Sequence, residues 1–74
     1  AVIDVGVNGL GIITEASYDS DTLVELRLNT NLGDIEMVCK VVYSRFEEGG
    51  FRTGLQVEKI GRIDQARWNL LLAS

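Results

Sequence analysis

Hydrophobic and polar residues alternate along much of this 74-residue chain, and the alternation predicts β-strands. The clearest case is the stretch 22–28, in which Val24, Leu26 and Leu28 share one face and charged residues occupy the other. A period of two is typical of a strand with one buried face. A longer strand is predicted from Ile35 to Arg45. Its apolar face is formed by alternating residues: Ile35, Met37, Cys39, Val41 and Tyr43.

Glycine-containing turns separate the predicted strands. Asp4–Gly9 lies between two short apolar runs, which predicts a strand, a tight turn and a second strand. In the polar stretch 29–34, Gly33 is the residue expected to take a positive φ. The stretch 46–50 predicts a hairpin connection. The strand that follows, 51–57, contains Gly54, which indicates a bulge or a close backbone approach.

The period changes after Arg62, and the stretch 62–74 predicts a helix that begins near Asp64. Its apolar side is formed by Ile63, Ala66, Trp68, Leu70 and Leu71. Trp68 is the largest apolar side chain, so we expect the helix to dock onto the strands through it. Short antiparallel strands followed by one helix predict a mainly β fold, a small antiparallel β-barrel with a C-terminal helix.

Length and charge narrow the function classes. Seventy-four residues make one small domain, with 46% hydrophobic and 24% charged residues, as in ordinary globular proteins. The formal net charge of −4 argues against nucleic acid as a partner, because phosphate binding needs a clustered positive face. No apolar stretch is long enough to span a bilayer. The single cysteine, Cys39, is expected to be a buried core residue in a reducing cytoplasm.

The chain offers little for catalysis. It has no histidine, which removes the usual general base and the commonest metal ligand. The paired acids of the loops, Asp19 with Asp21 and Glu47 with Glu48, lack an apolar setting that would raise a carboxyl pKa. Arg27, Lys40 and Arg45 are expected to be solvated surface charges. We therefore expect no enzyme, no catalytic residues, no metal site and no cofactor.

Asp4 is the candidate for a binding role. It places a carboxylate at the start of a turn that contains Gly6 and Gly9. Such a carboxylate can cap the turn by accepting hydrogen bonds from its amides, or it can accept hydrogen bonds from a ligand. Turn chemistry alone favours the capping role, because aspartate is a common turn residue.

The stretch Asp4-Val5-Gly6-Val7-Asn8-Gly9 resembles the Asp/Asn-x-Ser-x-x-Gly motif of PilZ domains. The order of the following segments is similar to that family as well. An alternating strand at 23–28 comes next, then a long strand ending in Val41-Val42-Tyr43, a charged hairpin, the strand Gly54-Leu55-Gln56-Val57 and a closing helix. The resemblance covers nearly the whole chain. It implies a six-stranded antiparallel barrel with a C-terminal helix in a bacterial, cytoplasmic regulatory domain.

The resemblance also implies a ligand, because many PilZ domains bind the second messenger cyclic di-GMP. The ligand-binding residues that it implies are Asp4, Gly6, Val7, Asn8 and Gly9. Two features depart from the family pattern. Gly6 stands where the motif has serine, and the family's Arg-x-x-x-Arg segment is not found before Asp4. Arginines of that kind suit a dinucleotide because guanidinium groups match phosphate oxygens and the guanine edge.

Two interpretations follow. Residues 1–74 form one PilZ-like domain whose first strand and arginine segment lie upstream, and cyclic di-GMP then binds with their help. Alternatively, the domain is a degenerate PilZ adaptor that does not bind the nucleotide. It would then act through a protein partner of pilus, flagellar or polysaccharide-synthesis type. In both cases a barrel without its first strand has an open edge, and we expect a partner chain, a homo-oligomer or strand exchange to fill it.

Overall fold

The computed structural model describes residues 2–6 and 8–73. Within them the chain forms a succession of strands followed by a helix. The elements are β1 (Val2–Val5), β2 (Gly9–Thr14), β3 (Leu23–Thr30), β4 (Gly33–Glu47), β5 (Gly50–Ile60) and α1 (Arg62–Ala73). The prediction of a mainly β fold with a C-terminal helix is confirmed.

The strands form one antiparallel sheet in the order β1-β2-β5-β4-β3. Among the described residues, β1 and β3 each pair with a single neighbour, so the sheet is open and does not close into the barrel that we predicted. Closure would require pairing across the gap between these two edges. The expectation of an open edge therefore matches this sheet.

The turns lie where the glycines predict them. Gly33 has φ 111°, as expected, and begins β4 directly after a two-residue connection from β3. The β4–β5 hairpin is equally tight, with Glu48 and Gly49 between the strands and φ 91° at Gly49. Both connections need a backbone conformation that residues with a side chain rarely adopt.

The long strand β4 is irregular near its middle. Its first half follows the predicted alternation, and Ile35, Met37, Cys39 and Val41 are all buried. The register then shifts between Val41 and Tyr43. Because a bulge inserts one extra residue, the alternation restarts one position later. Our assignment of Tyr43 to the apolar face was therefore wrong. Its side chain lies on the outer face and is 39% exposed.

Gly54 of β5 lies opposite this bulge, at a position where we predicted a bulge or a close approach. Both are present. Gly54 pairs with Tyr43 across the strands. A Cβ atom at position 54 would lie far inside van der Waals contact with the Tyr43 ring. The absence of a side chain at position 54 therefore lets this ring lie flat against the outer face.

The core lies between the inner face of the sheet and one side of α1. It is formed by Leu10, Ile35, Met37, Cys39, Val41, Leu55 and Trp68. The half-buried alternating residues of β3 pack against it, as predicted. Beyond this core the hydroxyls of Thr14 and Ser44 each lie 3.0 Å from that of buried Thr53. This polar layer separates the core from the aromatic pair Phe46 and Phe51 near the hairpin turn.

The helix docks as predicted through Trp68, which is 1% exposed. Leu71 and Leu72 pack beside it. The rest of the predicted apolar side was wrong, because Ile63, Ala66 and Leu70 face solvent. Arg67 fixes the rotation of the helix, since its Nη1 donates to the Asp34 carbonyl at 2.9 Å.

Candidate ligand-binding face

The turn between β1 and β2 carries the candidate site. Its backbone closes with a hydrogen bond from the Gly6 amide to the Gly9 carbonyl at 2.8 Å. A second bond, from the Val57 amide to the Asn8 carbonyl at 2.9 Å, ties the turn to β5. The predicted strand, turn and strand are confirmed. Val7, one of the five residues that we assigned to the site, lies outside the described residues.

Asp4 is paired with Arg52, an arginine that is 48 residues away along the chain. Its Oδ2 accepts a hydrogen bond from Nη2 of Arg52 at 2.8 Å, and the Asp4 side chain is 58% exposed. Within residues 2–6 and 8–73, this is the hydrogen bond that the carboxylate makes, and no turn amide donates to it. The capping role that turn chemistry favoured is therefore not seen in the described part of the turn.

Gly11 makes room for this carboxylate. It pairs with Asp4 across β1 and β2. An ideal Cβ at position 11 would lie 2.9 Å and 3.2 Å from the two carboxylate oxygens. Contacts that short are not tolerated, so any side chain at position 11 would push the carboxylate away from the sheet. The glycine thus lets Asp4 lean across β2 toward β5.

Arg52 is the residue of this face that the sequence analysis missed. Its Nε is buried and has no hydrogen-bond partner among the described residues. The pKa of Arg52 lies above its ordinary value, chiefly through hydrogen bonding to the Tyr43 side chain. Desolvation opposes this shift, and the charges of Asp4 and Glu47 add to it. The only sequence signal was its place in the alternation, one position from buried Thr53 and hence on the outer face.

Four strands contribute to the same line across the outer face. Asp4 pairs with Gly11, Gly11 with Gly54, and Gly54 with Tyr43. We call these four residues the outer-face row. Its two central members are glycines, and the space that they leave is occupied by the Asp4 carboxylate over Gly11 and the Tyr43 ring over Gly54. Arg52 lies beside the row, and its Nη2 contacts the Asp4 carboxylate.

Arg45 extends the charged face beyond Tyr43. It pairs with Arg52 in the register of β4 and β5. Its guanidinium carbon lies 5.3 Å from the centroid of the Tyr43 ring, a cation–π distance. Its Nε lies 3.3 Å from a carboxylate oxygen of Glu47. Two guanidinium groups and one aromatic ring therefore lie together at the Tyr43 end of the outer-face row.

The two motif glycines differ in what they do for the fold. A Cβ at position 9 would collide with the carbonyl oxygen of Leu55, so glycine at this position lets β5 approach the turn closely. Among the described residues, a Cβ at position 6 would meet nothing closer than the Gly9 carbonyl at 3.9 Å. The backbone therefore requires glycine at position 9, whereas position 6 has space for a serine.

The other cations form ion pairs at the surface. Arg27 lies between Asp34 and Glu36, at 3.5 and 3.1 Å, and Lys40 lies 3.9 Å from Glu58. None of these residues approaches the outer-face row in the register of the sheet. Of the three cations named in the sequence analysis, Arg27 and Lys40 therefore lie away from Asp4 and Arg52, whereas Arg45 lies next to Arg52.

Two cavities lie elsewhere in the described structure. A groove of about 460 Å³ runs over the ends of β3, β4 and β5 near the start of α1, between Glu25, Lys59 and Asp64. A cavity of about 130 Å³ lies on the inner face among Ile12, Val24 and Thr53. Neither is lined by the predicted site residues.

Metal and thiol chemistry find no support in the described residues. Within them, no cluster of three or more histidine, cysteine, aspartate or glutamate side chains could hold a metal ion. Cys39 is fully buried, as predicted, and burial raises the pKa of its thiol to about 11. A thiol of that kind remains protonated near neutral pH and is a poor nucleophile.

No helix in residues 2–6 and 8–73 combines the length and apolar character needed to cross a bilayer.

The fold and the face together define a small antiparallel sheet domain. It has a helix at its end and a group of charged and aromatic side chains on the outer face of the sheet. The family model of the PilZ domain matches residues 1–73. The chain belongs to the PilZ domain family, and the resemblance drawn from its motifs is confirmed. Neither the curated proteins nor the solved structures include a match to this chain. Its class is therefore that of a regulatory domain from a family of cyclic di-GMP receptors.

Proposed function

We propose that this PilZ domain binds cyclic di-GMP on the outer face, above the β1–β2 turn. The site uses Asp4, Gly6, Val7, Asn8 and Gly9, with arginines supplied from outside these 74 residues. The observation that carries the proposal is the exposed Asp4 carboxylate beside a turn that keeps the motif glycine, Gly9, and closes through the Gly6–Gly9 backbone hydrogen bond. The domain has a regulatory and not an enzymatic role, and it works in the cytoplasm, where the second messenger is made.

The chemistry of Asp4 suits guanine. An ionised carboxylate accepts hydrogen bonds through two oxygens, with about four lone-pair positions in all. Arg52 uses one of them. The remaining positions can accept the neighbouring N1–H and N2–H donors of a guanine base. Adenine has no such pair of adjacent donors, so the same carboxylate disfavours cyclic di-AMP.

The second candidate function is a degenerate adaptor that acts through protein contacts. Three observations favour it. The motif serine is replaced by Gly6, and Asp4 is already paired with a cation of its own chain. In addition, the hairpin carries Phe46 with 76% of its surface exposed. An exposed aromatic side chain at a hairpin is a suitable anchor for a protein partner.

Calorimetric titration of cyclic di-GMP separates the two functions. We expect the 74-residue chain to bind weakly or not at all, and the natural protein that carries it to bind specifically, with cyclic di-AMP as the control nucleotide. Submicromolar binding by the 74-residue chain would contradict the dependence on outside arginines. No binding by the natural protein would reject the receptor function and favour the adaptor.

A matched pair of substitutions in the natural protein tests the site itself. Because position 6 has open space, Gly6→Ser restores the motif hydroxyl without strain, and Gly6→Ala adds the carbon without the hydroxyl. We expect Gly6→Ser to bind cyclic di-GMP roughly tenfold more tightly than Gly6→Ala, since one hydrogen bond to a charged group contributes about that much. Equal affinities would show that the turn does not contact the nucleotide.

A further inference from the structure

We propose that Arg52 is a positioning residue that orients the Asp4 carboxylate for the ligand. This inference rests on the proposed function and adds to it a cation from within the domain. Arg52 comes from β5, outside the motif turn and 48 residues from Asp4 along the chain. It would make the site partly self-sufficient in positive charge.

The geometry of the contact is directional. β1 and β5 are not neighbours, because β2 lies between them. Arg52 must therefore reach over β2 to place its Nη2 at 2.8 Å from Oδ2 of Asp4. The absence of a side chain at Gly11 opens the path, since a Cβ there would displace the carboxylate. A contact that spans a strand in this way fixes the direction in which the carboxylate points.

Arg52 is itself held in place. Its Nε is covered, its side chain is 31% exposed, and Tyr43 interacts with its guanidinium from the β4 side. Tyr43 lies against the sheet because Gly54 leaves it space. An arginine whose Nε is buried and whose Nη2 already contacts Asp4 has lost rotamer freedom before a ligand arrives. Preorganisation of this kind strengthens binding by removing an ordering cost.

The pair also changes the charge that a ligand meets. An unpaired Asp4 would repel the phosphates of a dinucleotide, and the chain already carries a net charge of −4. The Arg52 guanidinium offsets that repulsion at the place where the base must dock. Arginine serves better than lysine here, because its planar fork fixes orientation as well as charge.

Nucleotide titrations of the natural protein test the proposal. The variants are Arg52→Gln, Arg52→Lys, Asp4→Asn and the double substitution of Arg52→Gln with Asp4→Asn. Arg27→Gln is the control, since Arg27 is an exposed arginine that pairs with Asp34 and Glu36 away from the outer-face row. Thermal melts of each free variant verify that it is folded.

We expect Arg52→Gln to weaken cyclic di-GMP binding roughly tenfold or more, which is the usual loss for one charged hydrogen bond. Arg52→Lys should recover part of the affinity, and Arg27→Gln should stay within about threefold of the wild type. The decisive readout is non-additivity. If Arg52 acts through Asp4, the double variant binds no more weakly than Asp4→Asn alone.

Three results would overturn the proposal. Wild-type affinity in folded Arg52→Gln would exclude a role in binding. Losses that multiply in the double variant would show that Arg52 acts independently of Asp4. Equal losses in Arg52→Gln and Arg27→Gln would indicate only a general effect of charge. Failure of the proposed function gives a different result, because the wild-type protein and every variant then show no binding of cyclic di-GMP.

Discussion

At the scale of single residues, glycines decide which side chains can lie on the outer face. Gly11 leaves room for the Asp4 carboxylate and Gly54 leaves room for the Tyr43 ring. Both are extended-strand positions, where glycine is unfavourable by itself because it loses more conformational entropy than other residues. The two glycines lie in the middle of strands because the side chains of Asp4 and Tyr43 occupy the space above them.

Gly54→Ala tests this explanation. The added Cβ would displace the Tyr43 ring, so we expect the free energy of unfolding to fall by about 1–2 kcal/mol in urea titrations, a typical loss for overpacking. Gly6→Ala is the matched control, since a Cβ there meets open space, and it should change stability by less than about 0.5 kcal/mol. In a Tyr43→Ala background the loss from Gly54→Ala should largely disappear. A loss that persists would mean that the ring is not the cause.

The residues of the candidate site divide by what the sequence can reveal. Asp4, Gly6 and Gly9 could be proposed from the sequence because turn residues and a short motif are local features of the chain. Arg52 was missed because its link to Asp4 depends on β2 lying between β1 and β5. Strand order is a non-local property, and alternation in a strand reports the face of a residue but not its neighbours.

At the scale of elements, the strands and the helix were predicted with different success. Alternation located β3, β4 and β5, since one face is buried and the other is not. β1 and β2 were located from the apolar runs on either side of a glycine-containing turn. The helix was located as well, but its buried side was only partly found. Ile63, Ala66 and Leu70 recur at helical spacing and were grouped with Trp68, although they face solvent. Two overlapping apolar stripes fit the same helical period, and only contacts with the sheet distinguish them.

Trp68→Ala and Leu70→Ala compare the two stripes. Trp68 is 1% exposed within the core, so its truncation should lower the free energy of unfolding by about 3–5 kcal/mol. For a domain of this size, such a loss leaves a substantial unfolded fraction at room temperature. Leu70 is 61% exposed, and its truncation should change stability by less than about 0.5 kcal/mol. Circular dichroism during urea unfolding measures both. A large loss in Leu70→Ala would show that this stripe is covered.

At the scale of the whole molecule, the open sheet is the dominant feature. The class of fold followed from consecutive antiparallel strands and a closing helix, whereas closure of the sheet did not. Closure depends on whether two distant edges meet, and no local pattern reports that. β3 presents an edge of eight residues, and edges of this length invite pairing with another chain.

We therefore expect residues 1–74 to self-associate or exchange strands as concentration rises, as measured by light scattering. Leu23→Lys should weaken the association, because a charge at the start of the β3 edge discourages pairing. Leu70→Lys is the control, since it places the same charge on a leucine of similar exposure that lies on the helix. A monomer at all concentrations would contradict this prediction, and so would equal effects of the two lysines.

The bulge in β4 has a consequence for how this domain can vary. It inserts one residue into the alternation of side chains. Each residue after Val42 therefore points to the face opposite to the one that the alternation before Val41 predicts. Deleting one residue there would send Tyr43 and Arg45 into the interior and bring Ser44 to the outside. Relatives that lack the extra residue should therefore present different side chains on the outer face, even where their aligned residues are identical.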